Sequence, residues 1–161
     1  MRTAILTVSS SVAAGRGEDL SGAALAQAAA AAGCEVIARE TVADERAAIE
    51  AALRRLCERA SLIFTTGGTG FTRDDVTPEA TRAVIDREAP GLAEALRAQS
   101  LRHTPMGMLS RGVSGIAGAT LIVNFPGSPR AISELFGVIA PVLEHAVATL
   151  HRASGQPTPG H

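Results

Sequence analysis

Three stretches of this 161-residue chain carry residue types that could hold phosphates. The first is Thr65-Thr66-Gly67-Gly68-Thr69-Gly70, with Thr77-Pro78-Glu79 seven residues on. Glycines behind an apolar run remove Cβ atoms, admit positive φ, and let backbone amides approach an anion. A helix start beyond them adds positive partial charge. The same residues also suit a ligand-free strand-to-helix turn. Between them lies Arg73-Asp74-Asp75. Two acids beside an anion cradle repel phosphate. A bridging Mg²⁺ resolves that conflict, since it takes one or two carboxylates together with substrate phosphates. Alternatively Asp75 only caps the turn. Adjacent side chains in an extended loop diverge, so one of the two acids is expected at the site. Asp44, after a second β-type run, is either the N-cap of the next helix or a second carboxylate.

The remaining stretches are weaker alone. Asn124-Phe125-Pro126-Gly127-Ser128-Pro129-Arg130 combines a Pro-Gly turn with Ser128 as a helix cap. Asn124 offers a donor and an acceptor to a heterocycle edge. Arg111, in Met108-Leu109-Ser110-Arg111, has a planar fork suited to phosphate; a solvent-facing arginine reads the same way. The four histidines, His103, His145, His151 and His161, share no metal-ligand spacing and are assigned no chemistry. No nucleophile elbow is present and neither cysteine sits in a nucleophile motif, so covalent catalysis is disfavoured. Cys34 and Cys57 are expected to be reduced core residues.

The elements that position these stretches follow from periodicity. Residues 4–8, 35–42 and 62–66 are β-type runs. Residues 20–32 are Ala-rich and helical by propensity, ending at Gly33. Ile49, Ala52, Leu53 and Leu56 make one helical stripe, with Asp44 placed as its cap. A capping Thr77, Pro78 at N1 and an acid begin another helix. Pro90 opens the next, through Leu101. Residues 113–116 and 120–125 flank Ala117-Gly118-Ala119 as a hairpin. Ser128-Pro129 starts a last helix. Such alternation predicts an α/β fold, doubly wound, with a mainly parallel sheet, helices on both faces and one antiparallel strand. Ligands in such sheets bind beyond the carboxyl ends of the strands. The expected organisation is one domain over residues 1–153 and a disordered tail over 154–161.

Composition removes whole classes. All fifteen basic residues are arginine, against sixteen acids, and the formal charge is −1. Without lysine there is no P-loop, no Schiff base and no lysyl-nucleotide ligase. Near-zero charge, with no Trp, no Tyr and four Phe, argues against nucleic acid as a partner. No apolar run reaches 18 residues, so no membrane partner is expected, and the N-terminus lacks a signal-peptide core.

Together, TTGGTGFTRDDVTPEAT, PGLAEALR and MLSRGVSGIAGATLIVNFPGSPRA resemble the MoaB/MogA family of molybdenum-cofactor biosynthesis proteins. They also resemble the G domains of plant Cnx and animal gephyrin. The likeness covers roughly residues 3–150. It implies a molybdopterin-binding fold, usually a cytoplasmic homotrimer, that acts as a molybdopterin adenylyltransferase. Such an enzyme joins AMP from ATP to the terminal phosphate of molybdopterin with Mg²⁺, releasing pyrophosphate. It implies catalytic and metal-holding roles for Asp44 and Asp75. It implies a substrate and nucleotide cradle of Ser9, Gly67, Gly68, Thr69, Gly70, Ser110, Arg111, Asn124, Pro126, Gly127 and Ser128. A molybdenum-insertion protein is the implied further partner. Some branches serve as binding or scaffold modules without transfer, and that is the alternative. Two positions depart from the family pattern: Ser10 stands where an Asp is frequent, and Arg130 where a Lys is common.

Overall fold

The computed structural model describes residues 1–152. The expected tail, and the end of the expected domain at residue 153, lie outside the described residues. Arg2–Val8 forms β1, Leu62–Thr66 forms β3 and Thr120–Phe125 forms β6, each buried almost throughout. Burial on both faces is why their sequences read as apolar runs rather than alternations. Glu35–Val42 forms β2, only half-buried because it is an edge. Arg87–Glu88 forms β4 and Ser114–Ala117 forms β5. The sheet order is β2-β1-β3-β6-β5-β4. The first four are parallel; β5 runs against both its neighbours. β4, two exposed residues long, is too short for any periodicity to reveal.

Helices cover both faces. Leu20–Ala31 (α2), Pro90–Leu101 (α5) and Pro129–Leu150 (α6) pack one face over Ile5, Phe64, Val123 and Phe125. Arg46–Cys57 (α3) and Thr77–Arg82 (α4) cover the other, over Leu6, Ile63 and Ile122. The α3 stripe is as its spacing predicts: Ile49, Ala52, Leu53 and Leu56 are each 1% exposed or less. Full burial of such a Leu or Ile stabilises by about 1.5–3 kcal/mol. Phe64, Phe125 and Phe136 pack together with centroids 5.4–5.8 Å apart, joining β3 and β6 to α6. Cys34 is buried and Cys57 partly so; both are free thiols, and burial pushes the Cys57 thiol up.

Several local expectations are corrected. Ser10–Ala13 is a short helix, α1, inside the expected polar loop. The N-cap of α3 is Glu45, with no side-chain capping bond, because the Asp44 carboxylate is turned to Ser10. The N-cap of α4 is Val76; the Thr77 hydroxyl reaches the Gly67 carbonyl instead. The apolar-run criterion also overlooked α6. It is 22 residues long and its most apolar 18-residue stretch has mean hydropathy 1.5, enough to cross a membrane by length and composition. Ile132, Leu135, Phe136, Ile139 and Leu143 instead seat it in the domain core.

The parallel register levels the strand ends. Thr66 sits beside Thr7 on one side and Phe125 on the other. The strand order reverses between β1 and β3, so the following chains leave over opposite faces and open a crevice there. The loops after Val8, Thr66 and Phe125 share that edge.

Candidate functional site

Gly67 and Gly68 adopt φ of 96° and 63°. A Cβ on Gly67 would lie 2.3 Å from the Val8 carbonyl oxygen; one on Gly68, 2.3 Å from Thr77 Oγ1. Glycine is therefore required twice, by conformation and by space. All four carbonyls of the loop are tied to protein. The Thr77 hydroxyl donates to Gly67 O at 2.9 Å and the Thr77 amide to Gly68 O at 3.1 Å. The Arg111 amide donates to Thr69 O at 2.9 Å and Arg111 Nε to Gly70 O at 2.7 Å. Among the described residues the amides of Gly68 and Thr69 meet no protein acceptor. Two amides without protein acceptors, on a loop whose carbonyls are bound, can receive an anion; Thr69 and Gly70 of this loop line the cavity described below, Gly67 and Gly68 do not.

Asp75 folds back on its own turn. Its Oδ2 accepts from the Thr72 amide at 2.8 Å and the Thr72 hydroxyl at 2.6 Å. Burial works against its charge, but Thr72, the Gly70 amide and Arg111 outweigh it and hold the carboxyl below the usual aspartate range. Asp74 is exposed and Asp75 is partly buried with its carboxylate on Thr72; neither lines the cavity beside the loop. Arg111 also binds the Asp75 carbonyl and the Glu79 carboxylate through its terminal nitrogens. Burial likewise opposes the charge of Glu79, and Arg111 overcomes it. The Arg111 fork grips the loop rather than facing open space.

A cavity of about 620 Å³ opens beside the loop, between α5, α6 and the 3₁₀ turn Pro105–Leu109. Thr69, Gly70, Ser110, Asn124, Pro126 and Ser128 line it, so six of the expected residues converge there. Arg97, His103 and Arg130 also line it, against one acid, Glu134. The Ser128 side chain caps α6, accepting from the Ala131 amide at 3.3 Å, and brings the positive end of a long helix to the cavity. Gly127 is outside the lining; a Cβ there would lie 3.3 Å from the Gly67 Cα.

Asn124 is buried, and its amide group is engaged with protein. Nδ2 donates to Thr65 Oγ1 at 2.9 Å and Thr81 Oγ1 at 3.0 Å, while Oδ1 accepts from the Val113 amide at 3.2 Å. It fastens β6 to β3, α4 and the segment before β5. Arg130 is 84% exposed and bound to Glu134 at 2.8 Å.

Asp44 belongs to a separate cluster at the ends of β1 and β2. Its Oδ2 accepts from the Ser10 amide at 2.7 Å and from Ser10 Oγ at 2.8 Å. The Asp44 amide returns a bond to Ser10 Oγ at 2.9 Å. Ser9 caps α1 beside it. No group of three or more His, Cys, Asp or Glu able to hold a metal occurs among the described residues.

Sequence reading missed Glu79 as a partner of Arg111, Thr72 as a partner of Asp75, and Arg97, His103 and Glu134 as cavity walls. Only Thr72, three residues before Asp75, carried a local signal: a side chain three positions on closing its own turn. Glu79 and Arg111 are 32 residues apart and meet only through the fold.

Known proteins share this fold and much of this sequence. The family described as "Probable molybdopterin binding domain" matches residues 4–145. A molybdopterin adenylyltransferase of Helicobacter pylori J99 is 42% identical over 110 residues, covering 67% of this chain and 62% of that protein. Its Escherichia coli K12 counterpart is 50% identical over 95 residues, 58% of this chain and 49% of that protein. The matched regions thus span about half to three-fifths of these curated relatives. The crystal structure of the molybdopterin biosynthesis enzyme MoaB from Thermus thermophilus superposes with a TM-score of 0.86 at 45% identity, over 98% of this chain and 99% of that one.

Proposed function

The chain belongs to the molybdopterin-binding domain family of molybdenum-cofactor biosynthesis proteins, and from that premise we propose that it adenylylates molybdopterin with ATP. The observation that carries the proposal is the glycine loop. Its four carbonyls are bound to Thr77 and Arg111, and among the described residues the Gly68 and Thr69 amides stand without protein acceptors. Beside them lies a cavity large enough for a small organic phosphate.

The reaction is in-line attack of a terminal phosphate oxygen of the pterin on the α-phosphorus of ATP. The new P–O bond forms as the bond to pyrophosphate breaks. The nucleophile is already anionic, so no strong base is required. The obstacle is repulsion between two polyanions. The loop amides supply fixed donors that need no reorganisation. The α6 N-terminus and two arginines, Arg97 and Arg130, against the one acid Glu134, give the cavity lining a net positive character. Holding both substrates side by side contributes through effective concentration.

Mg²⁺ fits the donor set in one form. Asp75 is a hard oxygen donor kept ionised by its neighbours, and a single carboxylate plus substrate phosphates is an ordinary Mg²⁺ environment. A resident all-protein cage does not fit, because no cluster of three acids is present among the described residues. Asp75 would hold the ion and Asp44, fixed by Ser10, would orient the substrates or assist. Bound Mg²⁺ would neutralise phosphate charge and stabilise the leaving pyrophosphate. The same reading places a homotrimer in the cytoplasm, handing its product to a molybdenum-insertion protein; the family resemblance is its support.

The test is purified protein with molybdopterin, ATP and Mg²⁺, scored for adenylylated pterin and pyrophosphate. Transfer by the wild type and its loss in Asp75→Asn, with pterin binding kept, is the expected result. Tight pterin binding with no AMP transfer by the wild type would replace this reading with a binding or scaffold module.

A further inference from the structure

We propose that Glu79 is a positioning residue for Asp75 and acts through Arg111; the catalytic part of this rests on the adenylyl-transfer reading. Arg111 spans the loop from both ends. Its Nε holds Gly70 O at 2.7 Å, one terminal nitrogen holds the Asp75 carbonyl, and the other meets the Glu79 carboxylate. Its own amide holds Thr69 O. One guanidinium therefore fixes the beginning and the end of the turn that presents Asp75.

The anchor for that guanidinium is Glu79. It sits in the first turn of α4 between Pro78 and Ala80, both buried, so its backbone is fixed to the core. Guanidinium has five donors and no acceptor, and it does not lose its charge. The Arg111 side chain remains 34% exposed and stands beside a site for polyanions. With no carboxylate partner, it would be drawn to an arriving phosphate and would release the two loop carbonyls. Paired with Glu79, it stays a clamp. This explains why Arg111, whose type suggests a phosphate ligand, has all three guanidinium nitrogens on protein acceptors. Thr72 and Asp75 then keep the turn in which the Thr72 amide and hydroxyl fix the direction of the Asp75 carboxylate.

The experiment is amide hydrogen exchange joined to steady-state kinetics on the full chain, for Glu79→Ala, Glu79→Asp, Arg111→Ala and the double Ala variant. In Glu79→Ala, exchange at the Thr72 and Asp75 amides should rise about tenfold or more while β3 and β6 amides stay protected. Its kcat should fall about tenfold with KM changed by less than about twofold. Glu79→Asp should recover most of both losses. Adding Glu79→Ala to Arg111→Ala should cost nothing further, the mark of two residues acting as one unit. Unchanged exchange at Thr72 and Asp75 in Glu79→Ala overturns the positioning role, as does full additivity of the two alanine substitutions in that exchange. Loss of β3 and β6 protection as well would make Glu79 a general stabiliser and also overturn it. If the wild type transfers no AMP, the adenylyl-transfer reading fails, while the exchange measurements still decide whether Glu79 positions Asp75.

Discussion

Replacing Gly67 with alanine sets a Cβ 2.3 Å from the carbonyl oxygen of Val8 and 3.3 Å from its carbon. The obstacle is backbone of β1, a central strand buried from Thr3 to Val8, so no flexible side chain can yield. Two costs combine. A non-glycine residue at positive φ costs about 1–2 kcal/mol. Forcing the loop off β1 adds about 1–3 kcal/mol, the usual range for overpacking. The expected loss is about 2–5 kcal/mol, or roughly 4–20 °C in melting temperature for a chain of this size. Gly118→Ala is the control. Gly118 also has positive φ, 59°, but a Cβ there meets nothing within 4 Å. It should lose about 1–2 kcal/mol, the conformational part alone. Urea unfolding of both variants measures the difference, which isolates the Val8 contact. Gly67→Ala should also lose AMP transfer, because the loop can relieve the clash only by leaving its four carbonyl partners. Equal destabilisation by the two substitutions would refute the argument that close approach to β1, and not φ alone, fixes glycine at position 67.

Thr77→Val keeps shape but removes the hydroxyl on Gly67 O; it should destabilise by about 1–3 kcal/mol, since a part-buried carbonyl loses its partner, as read by chemical denaturation. Ser10→Ala removes the hydroxyl that both donates to and accepts from Asp44; stability should fall by about 0.5–1.5 kcal/mol at most, and transfer activity should fall less than in Asp75→Asn. Asp75 and Glu79 have folded-state carboxyls held below their usual values, so their stabilisation is present above the unfolded pKa, about pH 4, and is lost as pH falls through the folded values. Denaturation midpoints followed from about pH 6 down to about pH 3, across the carboxyl range, should fall less steeply in Glu79→Gln than in the wild type. An equally steep fall would mean that the Arg111 pair contributes no acid-sensitive stability.

What the order of residues determined by itself was local. Strand and helix periodicities placed β1, β2, β3 and α3, because burial on one stripe or on two faces writes directly into side-chain type. The glycine stretch and the β5–β6 hairpin were also legible, because positive φ restricts the residue type at each turn. The tertiary structure decided the pairings. Asp44 reads locally as a helix cap, yet Ser10, 34 residues away, takes its carboxylate. Thr77 likewise reads as a cap, yet its hydroxyl holds Gly67. Arg111 and Asn124 read as ligand contacts, yet both have protein partners on other elements. A side chain's type fixes which bonds it can make. Parallel crossovers and a strand order that reverses at β1 and β3 determine which groups arrive within reach, and no local pattern encodes those meetings.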